Sequence, residues 1–231
     1  MLVGHAGLAL GLRAKNREVP LGTLMAAAFA LDLIWPIFLL LGIEEVSIRP
    51  GATAYNPLVF TSYPWTHSLA MAGAWGLAAW LLVRSRGYRG AVATLAGLVV
   101  VSHWVLDAVV HTADLPLWPG STSPLAGLGL WNSLPATMLA EGIIFVTGIG
   151  MYWRSTNARN AAGDSGFWGF VFVLGILWVS APFLPAPSSA SAVAVGALLL
   201  WLVPFWAAWF DGNRGRATSA GEAIPVPDAE Q

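Results

Sequence analysis

The chain has no cysteine. That excludes disulfides, a thiolate metal site and a cysteine nucleophile, so any metal must be held by His, Asp or Glu. Such donors favour zinc, manganese, iron or nickel over copper(I) or an iron–sulfur cluster. Charge is scarce as well. Charged residues make up 10% of the 231, where a soluble domain carries roughly 25%. The net charge is −1 and the sequence has no basic face, so no nucleic-acid partner is expected. The opening run MLVGHAGLALGL has no positive charge ahead of it, unlike a typical signal peptide, and it is too short to span a bilayer. Histidine is rare, with four in the chain.

Apolar residues are abundant, at 57%. Several apolar runs approach or reach the ~20 residues needed to cross a bilayer. The pattern predicts one all-α, polytopic transmembrane helical bundle over residues 1–210. It has about six spanning helices and a short N-terminal re-entrant or interfacial helix over 1–12. The expected spans are 21–43, 67–83, 91–111, 134–153, 166–186 and 190–210. Pro36 follows Asp32 by four residues, so its ring is expected to bend the first span at Asp32. The segments 44–66 and 112–133 read as long loops rich in turn residues. Residues 211–231 are polar and read as a disordered cytoplasmic tail. Four tryptophans near the expected interfaces, Trp65, Trp118, Trp131 and Trp153, read as an aromatic belt.

The basic residues give an orientation. Arg13, Lys15 and Arg17 precede the first span, Arg84, Arg86 and Arg89 follow the second, Arg154 and Arg159 follow the fourth, and Arg214 and Arg216 follow the sixth. All fall on one side, which the positive-inside rule assigns to the cytoplasm. Arg49 alone lies opposite, in a loop that also holds Glu44 and Glu45.

The stretch SHWVLDAVVHTADLPLWPG carries the candidate chemistry. His103, Asp107 and His111 are four apart and stack on one helix face. At ~1.5 Å per residue they lie about 18, 24 and 30 Å up the third span, toward the outer surface. His67 opens the second span at that same side, Glu141 sits about two turns into the fourth, and Asp32 is near the middle of the first. His5, in the short segment ahead of the basic loop, reaches the outer half too. Topology alone thus lets all four histidines and three intramembrane acids meet. Each acid costs roughly 2.5–3.5 kcal/mol at a helix centre unless it faces a cavity, a partner or a metal. A divalent ion suits imidazole and carboxylate donors. The competing reading is a hydrogen-bonded polar cluster that fixes helix packing. Asp114, beside Pro116 and Pro119, reads as a loop-capping residue rather than a ligand.

The signals run GHAGLALGL with His5, LDLIWP with Asp32, YPWTHSL with His67 and SHWVLDAVVH with His103 and Asp107. That order resembles the YdjM-like family of bacterial inner-membrane proteins, described as membrane-bound metal-dependent hydrolases. The resemblance covers residues 1–153, and THS and SHxxLD are its most specific parts. The family's paired-acid element after the first helix is here the single Asp32. A more distant similarity is to zinc-dependent phospholipase C and P1 nuclease, whose ligand order is followed by His5, Asp32, His67, His103, Asp107 and His111. By that resemblance one ion sits between Asp32, His67, His103 and Asp107, and a second shares Asp107 and takes His5. That group's final HxxxE pair is absent, and an isolated Glu141 stands instead.

The expectation is therefore a hydrolase of the bacterial cytoplasmic membrane with one or two divalent ions, zinc foremost. Asp107 and Glu141 carry the catalysis, and the substrate is a lipid or lipid-linked phosphoester at the outer leaflet. The alternatives are an ion- or proton-coupled transporter and a non-catalytic membrane scaffold with a buried His/Asp cluster. The oligomeric state is left open.

Overall fold

The computed structural model describes residues 1–217. Helices dominate. α1 (Val3–Lys15) leads into α2 (Leu21–Ala28) and α3 (Ala30–Leu40). A hairpin of β1 (Glu45–Ile48) and β2 (Leu58–Ser62) follows, then the single turn α4 (Pro64–His67), α5 (Leu69–Ser85) and α6 (Gly90–Val110). A short ribbon of β3 (Leu115–Pro116) and β4 (Leu125–Ala126) precedes α7 (Leu134–Ser155) and β5 (Thr156–Ala158). The chain ends in α8 (Ala161–Ser180), α9 (Ala190–Ala197), a 3₁₀ stretch Leu198–Trp201, α10 (Leu202–Gly212) and β6 (Arg214–Arg216), which pairs with β5.

The helix starts follow from their caps. Ser68, Ser133, Asn160 and Ser189 each accept a backbone N–H from the first turn of α5, α7, α8 and α9. Four helical stretches are long and apolar enough to cross a membrane: Gly90–Val110, Leu134–Ser155, Ala161–Phe183 and Ala190–Gly212. The bent pair α2–α3 makes up to five, and α5 is a shorter apolar helix of 17 residues. The sequence predicted six spans in an all-α bundle. The difference has local causes. Ser68 takes an extended conformation to cap α5, which leaves His67 outside that helix. The first apolar run is broken in two. The three two-stranded ribbons were unexpected from the sequence.

That break also corrects the expected position of the bend. The chain turns by 51° at Phe29, three residues before Asp32, and α3 continues through Pro36. The carbonyl of Ala28 lies at the break and accepts from His103 Nδ1 at 2.7 Å. A bond from another helix, rather than the proline ring, accompanies the turn. The C-terminal boundary moves as well. α10 runs to Gly212 and β6 to Arg216, so the ordered part extends beyond 210. The rest of the expected tail, from 218, lies outside the described residues.

Arg13, Arg17 and Arg89 gather at one end of the bundle, while Arg49 lies in the β1–β2 hairpin. Arg13 Nε donates to both carboxylate oxygens of buried Asp211 at 3.1 and 3.0 Å, and the Tyr152 hydroxyl donates to the same group at 2.7 Å. Arg17 donates to the Ser155 carbonyl and Arg89 pairs with Glu18. These bonds join the ends of α1, α7 and α10. The other end carries the β1–β2 hairpin, α4 and the β3–β4 ribbon.

α1 is only 13 residues, yet Val3, Ala6, Ala9 and Leu10 are fully buried. It lies against α7 backbone to backbone. A Cβ on Gly148 would fall 2.0 Å from the Gly7 carbonyl oxygen, and one on Gly7 would fall 2.5 Å from the Ile144 carbonyl oxygen. Small residues at this crossing let the helices approach closely.

Candidate metal centre

α6 supplies His103 and Asp107 one turn apart, with His111 as its C-cap. α1 brings His5, α3 brings Asp32, and α4 brings His67. Two groups of three have donor atoms within 4.8 Å of one another: His5, His103 and Asp107, and Asp32, His67 and His103. Either could hold a metal ion. Asp107 is the hub. Its Oδ1 lies 3.1 Å from His5 Nε2 and also meets the Met1 ammonium. Its Oδ2 lies 3.3 Å from His103 Nε2, 3.7 Å from His111 Nε2 and 3.9 Å from His67 Nε2. Asp32 Oδ1 is 3.4 Å from His67 Nε2 and 3.7 Å from His103 Nε2. His5 and His103 stack with ring centroids 3.9 Å apart.

The opposite nitrogen of three imidazoles is tied down. The Ala28 carbonyl can only accept, so His103 Nδ1 carries its proton and Nε2 presents a lone pair. Thr66 Oγ donates to Glu44 Oε2 at 2.6 Å and lies 2.7 Å from His67 Nδ1, so it accepts from that nitrogen. His111 Nδ1 lies 3.0 Å from Asp114 Oδ1, which also accepts from the Tyr63 hydroxyl at 2.9 Å. Each Nε2 lone pair is thereby aimed at Asp107. This is the outer-partner arrangement that fixes tautomer and ring orientation in metal-ligating histidines. His103 Nε2 is buried and has no hydrogen-bond partner among the described residues. An orphaned imidazole lone pair beside two carboxylates fits an ion. His5 differs, because its Nδ1 is the atom left without a partner.

All seven expected residues except Asp32 are buried, and the Asp32 side chain is 23% exposed. The site is thus open at its Asp32 edge. Glu141 belongs to neither group of three. Its Oε2 accepts from Val3 N at 3.2 Å, at the start of α1, and its Oε1 has no partner among the described residues. A carboxylate at a helix N-terminus is favoured by the helix dipole.

Sequence reasoning missed four groups. Glu44 was read as a loop charge, yet it is 2% exposed and accepts from Trp65 N, Thr66 N and Thr66 Oγ. Burial pushes its carboxyl above the usual carboxylate range, and the hydrogen bonds from Thr66 oppose that rise. Tyr63 and Thr66 flank the turn that carries His67, and only that adjacency marked them. Burial and the Asp114 charge raise the Tyr63 phenol well above its ordinary value. Trp131 was assigned to the aromatic belt, and its ring instead packs 4.0 Å from that of His111. Asp114 does cap its loop, accepting from Thr112 Oγ, and it orients His111 as well.

Loss of an outer partner typically costs 10–100-fold in metal affinity. Thr66→Val keeps the side-chain shape and removes the link from Glu44 to His67. It is expected to weaken metal binding about tenfold and to lower the unfolding temperature as well, because buried Glu44 and His67 each lose a partner. Equilibrium dialysis against buffered zinc checks this, and unchanged affinity would remove Thr66 from the site.

No family model, curated protein or solved structure matches this chain. Geometry defines its class: a mostly helical protein with apolar helices able to span a membrane and a buried His/Asp cluster able to hold a metal ion.

Proposed function

We propose that this protein is a metal-dependent hydrolase of the bacterial cytoplasmic membrane, with zinc as its ion. Its substrate is a lipid or lipid-linked phosphoester taken from the outer leaflet. The observation that carries the reading is the convergence of three imidazole Nε2 atoms on Asp107, each with its Nδ1 already engaged. A packing cluster needs its histidines satisfied, whereas His103 Nε2 has no hydrogen-bond partner among the described residues. The resemblance to the YdjM-like family adds the hydrolytic activity. In this reading all six apolar segments cross, with α2–α3 as one broken span, and the basic end and the C-terminus face the cytoplasm.

Asp32, His67, His103 and Asp107 would hold the ion, with His5 and His111 at its border. A divalent ion held there would supply Lewis acidity toward a phosphoryl oxygen and would draw the pKa of water toward ~7. Asp107 presents one oxygen to the ion side and one to His5. Glu141 is the proton acceptor, because its Oε1 has no partner among the described residues while Oε2 is fixed by α1. Asp32, at the exposed edge, is where substrate meets the site.

Metal content by mass spectrometry tests the reading on protein purified in mild detergent. Near-stoichiometric zinc is expected in the wild type, lost in a folded His103→Ala, Asp107→Asn double variant. Metal-free wild type, even after reloading at neutral pH, overturns the proposal.

A further inference from the structure

Two indole N–H groups beside the cluster lack an acceptor among the described residues. They belong to Trp35 and Trp131, whose side chains are buried. Buried donors without partners are rare and each calls for an explanation. The Trp131 ring packs against His111, and the Trp35 ring meets His67 edge-on with centroids 6.3 Å apart. The two indoles therefore pack against two histidines of the cluster, His67 and His111. Phe60, from β2, lies between them. Its ring is 5.5 Å from Trp35, 4.9 Å from His111 and 6.0 Å from Trp131. An unpartnered indole alone marks no site, since Trp104 and Trp178 have one too. Neither of those rings packs against a histidine among the described residues, and that contact is what sets Trp35 and Trp131 apart.

An indole offers a donor and no acceptor, so it serves an oxyanion and nothing cationic through that group. Two such donors, one on a ring beside His67 and one on a ring beside His111, suit a group with several terminal oxygens. A phosphoryl group has them; the carbonyl of a carboxyl ester has one. We infer that Trp35 and Trp131 form a phosphoryl-oxygen subsite, donating to the non-bridging oxygens of a phosphoester held at the cluster, with Phe60 covering the subsite until substrate displaces it. This inference rests on the hydrolase reading and names the residues that would recognise its phosphoester.

The test uses inorganic phosphate, titrated calorimetrically into the zinc-loaded full chain, with metal content measured on the same samples. Trp35→Phe and Trp131→Phe keep an aromatic ring and remove the donor. Each is expected to retain its zinc and bind phosphate about tenfold more weakly, the usual effect of losing a hydrogen bond to a charged group. Trp104→Phe is expected to bind phosphate as the wild type does. Zinc-loaded wild type that takes up no phosphate at millimolar concentration overturns the inference. So does unchanged phosphate affinity in both variants with zinc retained, or equal weakening in Trp104→Phe. A wild type that holds no zinc overturns the hydrolase reading and this inference with it, which separates that failure from the others.

Discussion

An Asp107→Asn variant loses its metal more completely than any other single carboxylate change, by more than the 10–100-fold expected for an outer partner. Both Asp107 oxygens face imidazoles, Oδ1 that of His5 and Oδ2 that of His103, with His67 and His111 close by. Asp32 meets two histidines through a single oxygen, and its side chain is partly exposed. A group can approach the open side of Asp32 and replace part of what Asp32→Asn removes, while Asp107 is 2% exposed and leaves little room for one. Asparagine keeps the volume, and its amide N–H can donate to an imidazole lone pair, so the variant is expected to stay folded. The expected order of zinc affinity is wild type, then Thr66→Val, then Asp32→Asn, then Asp107→Asn. Competition against a zinc chelator, beside thermal unfolding of each apo protein, measures it. An Asp107→Asn protein that holds zinc as tightly as the wild type would sink the assignment of this residue as hub.

Gly148→Leu destabilises the protein by about 3 kcal/mol or more, at or above the top of the usual range for overpacking. Even the first added carbon would stand 2.0 Å from the Gly7 carbonyl oxygen and 2.8 Å from its Cα. Backbone atoms cannot step aside as a flexible side chain can, so α1 must shift away from α7. α1 carries His5 to Asp107, and its Val3 N–H reaches Glu141, so the displacement disturbs the site as well. The control is two residues away. A Cβ on Gly150 meets nothing within 4 Å. Gly150→Leu is therefore neutral or mildly stabilising, because leucine is the better helix former. Thermal unfolding in one detergent compares them, and equal effects would show that α1 does not dock as described.

Much of the architecture was legible because lipid imposes simple rules. Scarce charge, long apolar runs and basic residues confined to alternate loops led to the segments that became α5 to α10. Depth arithmetic brought the histidines and acids to one level without knowledge of packing. The bend was misplaced because a local rule about Pro36 was applied where a long-range bond to the Ala28 carbonyl is made. Residues 211–217 looked like tail because their polarity was counted. Asp211 and Arg214 are buried instead, the first against Arg13 and Tyr152, the second against Thr156 and the Gly163 carbonyl. Burial of that kind cannot be seen without the partners.

The sequence by itself determined the donors. Without cysteine, only imidazole and carboxylate remained, and the spacing of His103, Asp107 and His111 put three of them on one helix. Tertiary structure decided which nitrogen of each ring faces inward, directly for His103 and, for His67 and His111, by fixing the neighbour that holds the ring. A histidine's tautomer is set by whatever holds its other nitrogen. For His103 that partner is a carbonyl 75 residues away. For His67 it is a threonine anchored by a carboxylate 22 residues before that threonine. For His111 it is an aspartate shared with Tyr63, 51 residues from that tyrosine. Helical periodicity repeats every few residues and is written in the local sequence. Hydrogen bonds across such separations exist only once the helices have packed.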